Sequence, residues 1–309
     1  MERASHRTAT SGQARCVSII IDRCRPLPRD GRESTVGNDG VDFEERFMPR
    51  FRLAVATRTW ALSLLDAIRA AAETGASGVL FDVRHELPPA QLSDTGRRDL
   101  LHVLRERGLQ VAATSFPLRY PLAAEHQLER RLAALREAMQ FTYRLGAETL
   151  CVPSGRCPDD LASPAGQHWK EVLSDLARYG NHVGVALALT PAGETPERLK
   201  ALVTSITTGP IGIDFDPAQC VHLGQSTSES LRQLYGLIRH VQLRDGVRHL
   251  SGGGEETAVG QGAVDWLELL ALLSEMEYPG WLTAIRLTGD DRPRDVARAV
   301  RQVQRWLMM

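Results

Sequence analysis

From Arg52 onward the chain alternates between two hydrophobic rhythms. Short apolar or β-branched runs are followed by longer stretches in which apolar positions recur every three or four residues, the spacing of one buried helical face. The runs at 52–56, 78–83, 110–115, 149–153, 184–189, 211–215, 240–244 and 281–286 read as eight strands. Helices are expected near 61–74, 93–107, 124–144, 168–180, 195–207, 228–237, 265–277 and 292–307. Punctuation supports this count: Ser93 is placed to cap the second helix, and Gly75, Gly108, Gly146 and Gly180 fall where a helix ends in a left-handed residue. Eight strand–helix units predict an α/β fold of the closed (β/α)8 type rather than an open doubly wound sheet. No G-x-G-x-x-G follows a strand, and Gly252-Gly-Gly254 reads as a flexible hinge in a loop rather than a phosphate cradle.

Residues 1–50 break the rhythm. They hold one apolar run, Val17-Ser-Ile-Ile-Ile21, among turn formers such as Arg25-Pro-Leu-Pro-Arg-Asp-Gly31, and are expected to be a flexible tail or the product of an over-extended gene start, with Met48 just ahead of the first strand. Residues 51–309 are then the barrel domain. The tail is basic but lacks the apolar core of a secretory signal, and no apolar run approaches the roughly 20 residues a membrane helix needs. With 37 basic and 38 acidic residues the net charge is −1, which gives no electrostatic reason to expect nucleic acid or an anionic membrane as partner. The five cysteines (16, 24, 151, 157 and 220) show no metal-ligand or redox spacing, and a reduced cytoplasmic setting is expected.

Three strand ends carry the most specific signal: Ile211-Gly-Ile-Asp-Phe-Asp-Pro-Ala-Gln219, Arg239-His-Val-Gln-Leu-Arg-Asp245 and Gly280-Trp-Leu-Thr-Ala-Ile285. Together they resemble the sugar isomerase and epimerase family with a xylose isomerase-like TIM barrel, whose corresponding pieces read F-D-P-A-H/N, H-V-H-x-K-D and G-W-L-T-V-E. The resemblance implies a divalent-metal site built from Glu, Asp, His and Glu at successive strand ends. Of these ligands only the Asp is retained, as Asp216. Thr190 stands at or next to the first Glu, Gln242 replaces the His, and Ile285 replaces the final Glu. Threonine and glutamine are neutral oxygen donors, poor substitutes for carboxylate and imidazole, and isoleucine is no ligand.

Other candidates surround these positions. Asp214 and His240 share the inward parity of Asp216 and Gln242, one layer deeper. Asp214 reads as the structural partner of a buried Arg or backbone amide, and His240 as a hydrogen-bonded interior residue or a displaced ligand. Glu194, in the loop after the fifth strand, is a candidate to swing in, or else faces water. Gln219 and Arg244 are placed for polar contacts to a substrate, as are Thr190 and Gln242; Arg244-Asp245 stands where the family has Lys-Asp. Arg286 should point away from the interior, and Asp265 should cap the helix that follows.

Two main functions remain open, beside a third, a subunit that supports an active paralogue by hetero-oligomerisation. The first is a pseudoenzyme that has lost its metal chemistry, has no cofactor, and binds a carbohydrate or a protein partner, as a homo- or hetero-oligomer. The alternative is an active sugar (phosphate) isomerase, epimerase or related lyase with a rearranged divalent-metal site (Mn, Mg, Co or Zn) and Asp216, His240 and Glu194 as its catalytic candidates.

Overall fold

The computed structural model describes residues 51–308. The expected tail, with its Val17–Ile21 run, Cys16, Cys24 and Met48, lies outside the described residues. Strands β1 (Arg52–Ala56), β2 (Gly78–Asp82), β3 (Gln110–Ser115), β4 (Thr149–Pro153), β5 (Ala186–Thr190), β6 (Ile211–Phe215), β7 (Ile238–Leu243) and β10 (Trp281–Ala284) close into a parallel barrel, in the order β1-β10-β7-β6-β5-β4-β3-β2. The helices are α1 (Leu64–Glu73), α2 (Asp94–Glu106), α3 (Leu128–Arg144), α4 (Pro164–Val183), α5 (Pro196–Thr204), α6 (Pro217–Leu223), α7 (Thr227–Leu234), α8 (Trp266–Glu275) and α9 (Arg292–Trp306). The (β/α)8 expectation therefore holds.

The ring closes where β1 pairs with β10, Val55 opposite Ala284. The strands are buried on both faces, so they read as near-continuous apolar runs. Leucines, valines and isoleucines on the outward face form the large core beneath the helices, whereas the interior is filled mostly by small residues: Ala56, Ala113, Cys151 and Ala188 cluster around Leu80, capped by Ile285. Lower down, Trp281 fills the barrel beside Ala54 and Ala112. That packing explains Gly78, where a Cβ would sit 2.6 Å from the Trp281 ring.

Helix ends follow local rules. The hydroxyls of Ser63, Ser93, Ser163 and Thr195 accept from backbone amides in the first turns of α1, α2, α4 and α5, and Asp265 caps α8 through Glu268 N at 3.0 Å. One expectation fails here. Gly180 does not end α4; the helix runs to Val183 and Gly184, at φ 86°, terminates it. Gly180 is needed for a different reason, since a Cβ there would lie 2.4 Å from Val185 O.

Two elements were not anticipated. A short helix, α6, begins directly after β6, with Asp216 as its N-cap and Pro217 in its first turn. The segment around Gly252-Gly-Gly254 is not a free hinge but the turn of an antiparallel hairpin, β8 (Asp245–Arg248) with β9 (Gly254–Thr257), which packs against α6.

Candidate functional site

At the carboxyl ends of β5, β6, β7 and β10 the small interior residues give way to a connected polar set. In its lower layer Asp214 is 2% exposed and accepts three hydrogen bonds: from Thr190 Oγ1 (2.6 Å), from Gln242 Nε2 (2.6 Å), and, on its other oxygen, from His240 Nδ1 (2.7 Å). The partner is therefore neither an arginine nor a backbone amide, as had been expected for Asp214. No one of these residues announces the network, which forms because β5, β6 and β7 run side by side, with Asp214 opposite His240 in register. His240, 1% exposed, also meets Thr283 Oγ1 at 2.6 Å through Nε2, so both ring nitrogens are engaged.

Cys151, Asp214 and His240 each present one ligand atom within 4.8 Å of the others, and all three are buried. The Cys151 thiol is pushed well above its ordinary value by burial and by the Asp214 carboxylate, so it stays protonated. Cys157 and Cys220 are likewise free and buried. Burial, reinforced by Asp216, pushes the Cys220 thiol up to about 12.

The upper layer is built around a guanidinium. Arg244 bonds Asp216 Oδ2 through Nη1 and Glu256 Oε1 through Nε at 3.0 Å. Asp216 is 5% exposed, and its other oxygen accepts from Ala218 N (3.1 Å) and Gln219 N (3.4 Å). Burial raises the Asp216 pKa and Arg244 opposes it; Asp214 adds a further upward push. For Glu256 burial also works upward, but Arg244 and the Thr288 hydroxyl and amide outweigh it and hold the carboxyl below its usual range. Arg244, although desolvated, is held above the ordinary arginine value by these two carboxylates.

Glu256 was missed from the sequence. It sits on β9 and also accepts from Leu287 N (3.0 Å), Thr288 N (2.8 Å) and Thr288 Oγ1 (2.8 Å), tying the hairpin to the loop after β10. The available signal was the glycine turn Gly252-Gly-Gly254 alone, because the flanking segments Asp245–Arg248 and Gly254–Thr257 are too short and polar to read as strands.

Glu194 does not face water. It is 5% exposed, and its carboxylate accepts from Cys157 N (2.7 Å) and Ala192 N (2.8 Å), joining the loops after β4 and β5. Gln219 lies in the first turn of α6, half-buried beside Asp216. Ile285 packs onto the apolar interior. Arg286 points outward as expected, donating to Asp295 of α9 at 3.1 Å.

A further polar cluster occupies the ends of β1 and β2. Asp82, 3% exposed, accepts from Arg58 Nε (3.1 Å), His85 Nδ1 (2.9 Å) and the amides of Arg84 and His85. Glu86 takes the Thr57 hydroxyl at 2.5 Å and Asp82 N at 3.1 Å. Burial pushes the Glu86 pKa up to about 7; the two hydrogen bonds oppose it, and the Asp82 charge adds to the rise.

A model of the Xylose isomerase-like TIM barrel family matches residues 68–308. The chain belongs to this family. Among solved structures it is similar to a xylose isomerase domain protein from Planctomyces limnophilus, at 20% identity and a TM-score of 0.71 over 84% of this chain and 96% of that one. It is also similar to the probable 3-DHS dehydratase of petrobactin synthesis from Bacillus anthracis (13%, TM-score 0.69, 82% and 98%). A third is a xylose isomerase-like TIM barrel protein from Mycobacterium smegmatis in complex with magnesium (16%, TM-score 0.68, 84% and 97%). Likeness at these identities carries the fold. An uncharacterized protein of Methanocaldococcus jannaschii is 25% identical over 158 residues, 47% of this chain and 53% of that protein, so the match spans about half of each. None of the described helices is long and apolar enough to cross a membrane.

Proposed function

We propose that this chain is a carbohydrate-binding member of its family in which a guanidinium, that of Arg244, stands in for the divalent cation, so that the barrel binds a polyhydroxy ligand without metal-dependent turnover. The observation that carries the reading is the Asp216–Arg244–Glu256 arrangement. The one retained ligand position already has a fixed cation on it, and a carboxylate neutralised by a bonded arginine is a poor ligand for a second one. The donor set beside it does not fit a divalent ion: Gln242 and Thr190 donate to Asp214 rather than offering oxygen, and Ile285 is apolar. Arg244 itself keeps a positive charge at the mouth that can orient a hydroxyl, carbonyl or carboxylate of a ligand. Three buried free cysteines support a reduced, cytoplasmic setting.

One observation favours the second reading, an active isomerase, epimerase or lyase with a rearranged site: Cys151, Asp214 and His240 are close enough to share an ion. To bind there, an ion would have to displace the Cys151 proton and the His240–Asp214 bond, both held in a buried environment.

Incubating the full chain with a panel of ketoses and polyols, with and without chelator, separates the readings. Calorimetry reports binding and NMR reports product. Saturable binding that survives the chelator, with no new product, is expected. Isomerised, epimerised or dehydrated product whose formation stops on chelation would overturn the proposal.

A further inference from the structure

Four arginines converge on the opposite wall of the barrel mouth, where the chains leaving β2 and β3 meet the start of α3. Arg84, Arg119, Arg130 and Arg131, with Phe116 and Tyr120, line a cavity of about 410 Å³. No acidic residue lines it, and none of the four arginines forms an ion pair among the described residues. The nearby acids Glu125 and Glu129 are exposed and are not part of the lining. This concentration of charge belongs to a chain whose net charge is −1, so it does not reflect a generally basic surface.

Contacts hold three of the four side chains, those of Arg131, Arg84 and Arg119. Arg131 is 8% exposed, and its guanidinium is fixed by the carbonyls of Leu122 (2.9 Å), His126 (3.0 Å) and Ala124. Neutral carbonyls supply hydrogen bonds but no compensating charge, and burial pulls the Arg131 pKa down. Arg84 donates to Pro117 O at 2.6 Å and lies 5.4 Å from the Phe116 ring centroid, and Arg119 lies 5.7 Å from that of Tyr120. An uncompensated, partly desolvated cluster of like charges is unfavourable by itself and becomes favourable when an anion enters. Gln127, which also lines the cavity, begins α3 without a side-chain cap, so the positive end of that 17-residue helix faces the same region.

We propose that this cavity is a binding site for an oxyanion-bearing small molecule, a phosphate ester or free phosphate, held by the guanidiniums of Arg84, Arg119, Arg130 and Arg131. Planar guanidiniums pair with phosphate oxygens two at a time, which a cluster of lysines would not do. A cavity of about 410 Å³ admits a phosphorylated sugar-sized molecule. The site uses none of the residues around Arg244, so it stands or falls separately from the reading of that position.

Calorimetric titration of the full chain with fructose 6-phosphate, inorganic phosphate, pyrophosphate and neutral fructose tests it. Arg119 and Arg130 are exposed, so the double variant R119A/R130A should keep the fold, which circular dichroism checks. Saturable binding of a phosphate compound that weakens at least about tenfold in the double variant, and weakens further with added salt, is the expected result. Tighter binding of the ester assigns the site to a phosphorylated metabolite, and equal binding of inorganic phosphate assigns it to the free anion. No saturable binding of any phosphate compound at millimolar concentration, equal binding of fructose and its phosphate, or undiminished binding in R119A/R130A would each overturn the proposal.

Discussion

A single side chain, Arg244, holds two buried carboxylates at the mouth of the barrel, and its removal is the sharpest perturbation available. Arg244→Met leaves Asp216 buried without its cation, and Glu256 with only its longer pair to Arg286 at 3.6 Å. Breaking a buried pair in this way costs about 3–5 kcal/mol, so urea denaturation at neutral pH should show a loss of that order, recovering as the pH is lowered and the carboxylates protonate. A loss under about 1 kcal/mol would mean that the pair is solvated. Glu86 gives an opposite kind of residue-scale signature. Its carboxyl is pushed from 4.5 up to about 7, so the folded chain favours the protonated form. The associated stability is fully present below pH 4.5 and disappears as the pH rises through about 7. The melting temperature should fall between pH 5 and pH 8, and Glu86→Gln should flatten that fall.

Secondary structure shows where sequence legibility ends. All eight barrel strands and the eight helices expected between them announce themselves, because each apolar run has its own local period and end signals such as Ser93 and Gly75. The hairpin β8–β9 does not, since its strands are only four residues each and polar. What holds it is long-range. Asp245, fully buried, accepts from the amides of Gly246, Gly260, Gly262 and Val264 and from Trp266 Nε1, organising the loop that leads into α8. Gly262 is there because a Cβ would lie 2.1 Å from Asp245 Oδ1. Asp245→Ala should therefore cost at least about 3 kcal/mol, because it strands several buried donors at once. An unchanged denaturation midpoint would show that the loop finds other partners.

Across the whole molecule, the fold was readable and the site only in its residue identities. The positions of Thr190, Asp216, Gln242 and Ile285 follow from the three strand-end motifs, but the partners of those side chains do not. Asp214 was assigned an arginine or an amide, and it takes Thr190, His240 and Gln242 because strand register brings those three together. Glu194 looked like a solvated loop residue, and it is buried because two loops close around it. The arginine cavity was invisible because Arg84 and Arg131 are far apart along the chain and become neighbours only once β2 and β3 lie in the barrel wall beside α3. The most direct test of the account is elemental analysis, followed by calorimetric titration of Mn²⁺, Mg²⁺, Co²⁺ and Zn²⁺ into chelator-treated full-length protein. With Arg244 as the resident cation, the protein should carry no stoichiometric metal and show no saturable binding tighter than about millimolar. Stoichiometric, tight binding that is lost in Asp216→Ala would contradict it.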